Sequence, residues 1–253
     1  MTGAAGAAFR RRGDRPAIVG HRGVRGPVPE NTLGAFLHAV SGGADAVELD
    51  VRLSRDGAVV VCHDPDLLRV AGDARLVADL DAGDLHRVDL GRGEGIPRLE
   101  EVLDLCRRAG IGLNVELKRD VPSRPELVRA AARLLAARRD VDVVVSSFDP
   151  WMLGAFGALA PPVPRAQLVH RSGYIPAHIT AGRAMRAEGL HLEASLWTAT
   201  RISSLRKSRS WIAAWTIVDV AEAARLDALG ADALITDDPA ALRAWFDARH
   251  ARS

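Results

Sequence analysis

The chain has 253 residues, 48% of them hydrophobic, with 34 basic against 32 acidic side chains and a formal charge of +2. That length suits one large domain or two small ones. No basic tract is interleaved with aromatics, which argues against nucleic acid as a partner, and no run approaches the roughly 18 apolar residues that stable membrane insertion requires. The first fifteen residues carry Ala and Gly ahead of Arg10-Arg11-Arg12, the reverse of a secretory signal, and read as a disordered tail. Cys62 and Cys106 read as buried free thiols, which suits a reducing cytoplasm.

From Pro16 the chain alternates. A strand over 16–20 ends at His21, and a helix follows Pro29-Glu30-Asn31-Thr32, where Asn31 or Thr32 can cap it. A second strand covers 46–53 and a further one 58–62, separated by the turn signal Asp56-Gly57. Between about 65 and 98 the periodicity weakens in charged, Gly-rich sequence, which predicts a small insertion with some helix of its own. Helix 99–109 and strand 111–118 restore the pattern. It continues as helix 125–138, strand 141–147, helix 150–159, strand 165–169, helix 179–188, strand 190–196, helix 201–208, strand 212–218, helix 220–229, strand 232–236 and helix 240–250.

Recurrent helix–Gly–strand steps, as at Gly43, Gly110, Gly189 and Gly230, predict β/α units with a parallel sheet. About eight such strands favour a closed (β/α)8 TIM barrel with an insertion after the second strand, and no G-x-G-x-x-G follows the first strand to suggest a dinucleotide fold. Residues 16–253 are therefore expected to form one barrel domain.

The chemistry concentrates at predicted strand ends. Alternation over 47–53 puts Glu48 and Asp50 on one face, and over 113–118 it puts Asn114, Glu116 and Lys118 on one face. Either strand alone reads as a solvated polar face. Together, flanked by His21 and His63, they predict a site. Three converging carboxylates repel unless a cation or proton is shared, and an all-oxygen donor set favours Mg²⁺, Ca²⁺ or Mn²⁺ over zinc.

In this setting the sequence resembles the glycerophosphodiester phosphodiesterase family. The matching pieces, in family order, are His21-Arg22-Gly23, Pro29–Thr32, Glu48–Val51, Asp56-Gly57 with Val60–Asp64, Ile96–Glu101, Asn114–Lys118, Ala214–Ile217 and Ile235–Pro239. The resemblance implies a (β/α)8 barrel that hydrolyses glycerophosphodiesters to glycerol 3-phosphate and an alcohol. It implies one divalent cation on Glu48, Asp50 and Glu116, an acid/base pair in His21 and His63, phosphate contacts from Arg22 and Lys118, and Trp215 and Glu30 at the substrate pocket. Which histidine is acid and which base stays open, as does attack by water or by a neighbouring glycerol hydroxyl.

Two other readings stand beside it. One is a relative acting on lysophospholipids or other lipid-linked phosphodiesters; the other is a non-catalytic barrel that binds phosphate compounds, which loss of a ligand or histidine would favour. Asp237-Asp238-Pro239 reads as structural, Asn31 as a helix cap, and the histidines without a motif as surface or satisfied core. Tyr174 and Trp197 are candidates for head-group contact. The head group, the physiological metal and the oligomeric state lie beyond the sequence.

Overall fold

The computed structural model describes residues 6–26, 28–172 and 175–251. Eight parallel strands follow one another around a ring: β1 (Ala17–Gly20), β2 (Ala46–Leu53), β3 (Gly112–Leu117), β4 (Val143–Ser147), β5 (Arg165–Val169), β6 (Gly189–Glu193), β7 (Trp211–Ile217) and β8 (Ala233–Thr236). The ring closes where β8 pairs with β1, Ala17 opposite Ala233 and Gly20 opposite Thr236. Helices α1 (Leu33–Ser41), α2 (Leu99–Ala109), α3 (Arg124–Ala137), α4 (Pro150–Leu159), α5 (Ile175–Ala184), α6 (Ala199–Arg206), α7 (Val220–Ala228) and α8 (Pro239–His250) occur in turn between and after the strands. The fold is a (β/α)8 barrel.

Local chemistry explains the alternation. The strands are buried on both sides, so their outward residues, such as Val47, Leu49 and Val51, pack under the helices. Most strand ends lead into a side chain that caps the next helix: Thr32 accepts from Ala35 N, Asp149 from Trp151 N, Asp219 from Glu222 N and Asp238 from Ala241 N. At Gly23 (φ 86°) only glycine fits, since a Cβ would lie 2.6 Å from the Ala35 carbonyl carbon. This brings the loop after β1 down onto α1.

The N-terminal segment departs from the expected disordered tail from Gly6 onward. Gly6 N and Ala8 N donate to Asp142 at 2.8 and 2.7 Å, Arg15 pairs with Asp45, and Phe9 is fully buried at the bottom of the barrel. Gly112 leaves room for it, because a Cβ there would sit 2.2 Å from that of Ala8. Above this plug, His191 and Trp211 fill the barrel axis, with Trp211 Nε1 donating to His191 Nε2 at 3.3 Å. One aromatic among many small residues was too weak a signal to mark a plug.

Boundaries in the second half also shift. Helix α5 starts four residues before the expected 179, and β6 stops at Glu193 rather than 196 because Ala194–Leu196 turns as a 3-10 helix. That turn carries Trp197 back into the outer core, 3% exposed, where its Nε1 donates to the Leu192 carbonyl. Trp197 is therefore a packing residue and not a head-group contact. Tyr174 lies outside the described residues.

After β2 the chain forms a short strand, Val59–Val61, antiparallel to the end of β2 with Val51 opposite Val61. Strand β1 is too short to cover that part of the β2 edge, since its pairing with β2 stops at Gly20 opposite Val47. The return strand delivers His63 to the mouth of the barrel. Residues 65–98 then build a two-stranded hairpin and short helices, Leu68–Ala71 and Ala82–His86, over a small core that includes Cys62, Leu67, Leu85 and Ile96. Cys62 and Cys106 are free and buried, and burial pushes their thiols up to about 11 and about 12, which leaves them inert. No helix among the described residues is long and apolar enough to cross a membrane.

Candidate active site

Register brings the acids together. Strands β2 and β3 pair with Glu48 opposite Asn114 and Asp50 opposite Glu116, and all four side chains point into the barrel. The carboxylates of Glu48, Asp50 and Glu116 place oxygens within 4.8 Å of one another, and each residue is at most 9% exposed. Lys118 Nζ lies 3.0 Å from Glu116 and 3.2 Å from Asp50, while Arg22 Nε lies 3.3 Å from Asp50. Three acids thus share two cations.

The acids respond differently to that shortage. Burial, with Asp50 and Glu116 adding to it, pushes the Glu48 carboxyl up to about 8, so that at neutral pH it tends to hold a proton. Burial also raises Glu116, against the pull of Lys118. Asp50 goes the other way: burial opposes ionisation, but Lys118 and Arg22 outweigh it and hold the group low. A buried all-oxygen cluster short of positive charge is what a hard divalent ion relieves. The donor set fits such an ion.

Both histidines are steered by a carboxylate. His21 follows β1 and Asp237 follows β8, and their pairing sets Nδ1 2.7 Å from Asp237 Oδ1. His63 Nδ1 lies 2.6 Å from Asp64 Oδ1, and Arg52 fixes the His63 carbonyl through Nε and Nη2. An ionised acid on Nδ1 leaves Nε2 of each ring for proton transfer. Burial works against the charged form of His21 but Asp237 and Glu48 raise it overall; burial lowers His63, with Asp50 opposing.

A pocket of about 180 Å³ opens on these groups, with His21, Arg22, Glu48, His63, Asn114, Glu116 and Lys118 on one side. The other side is apolar: Phe148, Leu168, Trp215 and Ile235. Phe148 and Trp215 meet edge to face at 5.6 Å, and Trp215 Nε1 is tied to the His191 carbonyl. Trp215 therefore forms pocket wall. Glu30 does not line this pocket; it sits behind Arg22, taking its Nη1 at 2.9 Å.

Several residues matter more than their sequence context suggested. Asn31 does not cap α1, a role Thr32 takes; it occupies φ 58° and donates to Asp50 Oδ2 at 3.0 Å, fixing that carboxylate. Asp237 is not a structural strand end but the partner of His21. The signal lies in barrel closure, which makes the last strand a neighbour of the first. Phe148 stands one residue beyond β4, a position that the barrel reserves for functional groups.

Such a mouth defines the class of the protein: a barrel hydrolase that works on an anionic ester. The family model for the glycerophosphoryl diester phosphodiesterase family matches residues 21–241, and the chain belongs to that family of phosphoric diester hydrolases. It is 30% identical over 237 residues to a glycerophosphodiester phosphodiesterase of Caldanaerobacter subterraneus, covering 89% of this chain and 95% of that one. A Bacillus altitudinis glycerophosphodiester phosphodiesterase is 32% identical over 233 residues, covering 88% and 94%. Among solved structures, an Oleispira antarctica phosphodiesterase in complex with the product sn-glycerol-3-phosphate superposes with a TM-score of 0.84 at 29% identity, covering 92% of this chain and 97% of that one.

Proposed function

We propose that the chain hydrolyses glycerophosphodiesters to glycerol 3-phosphate and a free alcohol such as choline or ethanolamine, using one divalent cation, Mg²⁺, Ca²⁺ or Mn²⁺, on Glu48, Asp50 and Glu116. The observation that carries this reading is the convergence of those three buried acids beside two carboxylate-steered imidazoles. The glycerol 3-phosphate bound to the Oleispira antarctica relative supports the product. Free buried thiols support a cytoplasmic setting.

A phosphodiester anion repels nucleophiles, and a bound divalent ion supplies the charge that offsets this at the phosphorus centre. Arg22 and Lys118 grip non-bridging oxygens, Arg22 with a planar fork and Lys118 as a point charge. One imidazole takes the proton of the attacking hydroxyl at Nε2, and the other donates its Nε2 proton to the departing alkoxide. With water as nucleophile, its oxygen joins phosphorus as the P–O bond to the alcohol breaks, and the two protons balance. Phe148, Leu168, Trp215 and Ile235 supply an apolar wall for the substrate.

The test is release of glycerol 3-phosphate from glycerophosphocholine and glycerophosphoethanolamine by purified protein, with and without chelator, alongside Glu116→Ala. Chelator-sensitive turnover that is lost in the variant is expected. A metal-loaded wild type inactive on both diesters overturns the reading, and activity confined to lysophospholipids moves the protein to lipid-linked substrates.

A further inference from the structure

Arg69 belongs to neither the pocket nor the barrel. The short insertion helix Leu68–Ala71 carries it, and about half of its side chain is exposed. It nevertheless makes two close ion pairs, Nη2 with Glu30 Oε1 at 2.7 Å and Nε with Asp64 Oδ2 at 2.5 Å. Each of those acids holds one group of the site. Glu30 Oε1 also takes Arg22 Nη1, and Asp64 Oδ1 takes His63 Nδ1. Arg22, Glu30, Arg69, Asp64 and His63 form one unbroken chain from a cation of the site to an imidazole.

Stability does not account for this arrangement, because half-exposed ion pairs contribute little. Orientation does. A guanidinium is a rigid fork that fixes the carboxylates it bridges, which a flexible ammonium cannot do. Without the fork, Asp64 is free to turn from His63, and the imidazole loses what sets its tautomer. Glu30, released from one of its two cations, pulls harder on Arg22 and away from any anion in the pocket.

We propose that Arg69 is a positioning residue for the hydrolysis, through which the insertion orients His63 by way of Asp64 and keeps Arg22 available by drawing on Glu30. The inference rests on the roles proposed above for His63 and Arg22. It makes the insertion part of the working site although no residue of 65–98 lines the pocket.

The experiment compares wild type, Arg69→Met and Arg69→Lys by melting temperature, steady-state kinetics on glycerophosphocholine and ¹⁵N NMR of the histidine side chains. Arg69→Met is expected to fold and melt as the wild type, to lose about 10–100-fold in kcat as partners of site groups do, and to lose the fixed Nδ1–H tautomer of His63. Arg69→Lys recovers part of both. A Met variant with wild-type kcat, or with an unaltered His63 spectrum, overturns the inference. Failure of the hydrolase reading shows separately, as a wild type that turns over no glycerophosphodiester, and the histidine spectrum then still decides what Arg69 does.

Discussion

The two halves of the barrel are built from different materials. Strands β1–β3 and their loops supply the three acids, both histidines and both cations of the pocket, whereas β4–β8 supply Phe148, Leu168, Trp215 and Ile235. Among the described residues, one charged group crosses the divide to touch the reacting side: Asp237, which holds His21. On the proposed reaction, the first half performs the bond cleavage and the second shapes the space for the substrate. Changes in the first half should therefore act on kcat, and changes in the second on KM.

The sharpest break of that division is His21→Ala, expected to lower kcat by ~10²–10⁴-fold, as loss of a general acid or base does. Asp237→Asn comes from the other half yet should behave like a member of the first, lowering kcat by ~10–100-fold with little change in KM. Steady-state kinetics on one diester separate these cases. If Asp237→Asn acts on KM alone, it belongs with the wall and the division is drawn in the wrong place.

Phe148→Ala tests the wall itself. Loss of an aromatic contact of ~1.4 kcal/mol raises KM about tenfold and leaves kcat nearly unchanged. Substrates with different alcohols should respond unequally if this side reads the head group, and equally if it reads glycerol.

The last expected effect is thermodynamic, not catalytic, and centres on Glu48. Glu48 has a folded-state value of about 8 against an ordinary 4.5, so the folded protein retains a proton that the unfolded chain releases. That contribution is fully present below pH 4.5 and is lost as pH rises from 4.5 through 8. Metal-free protein should therefore show a melting temperature that falls across this window, and saturating divalent ion should flatten the fall. Calorimetry in buffers of different ionisation enthalpy should find net proton release on metal binding at pH 7. Asp50, shifted downward, affects only the acid side.

Much of the charged half was legible in the sequence because its signals are local. Period-two alternation put Glu48 with Asp50, and Asn114 with Glu116 and Lys118, on shared faces; the strand register then brought the two faces together. What escaped is what depends on distance along the chain. Asp237 and His21 are 216 residues apart and meet only through closure of the ring. Arg69 sits where elements of two to five residues are too short to show a period. Phe9 acts by filling a space that exists only once all strands are in place. Asn31 was misread because a helix-start position and a site position coincide in adjacent residues, and Thr32 was enough to cap the helix.

The filled axis of the barrel has a kinetic consequence. With Phe9, His191 and Trp211 packed beneath the pocket, substrate and both products must use the same opening. On the proposed reaction the alcohol, which the cations do not hold, is expected to leave first and glycerol 3-phosphate, held by Arg22 and Lys118, last, so that added glycerol 3-phosphate should inhibit competitively and turnover should slow as product accumulates.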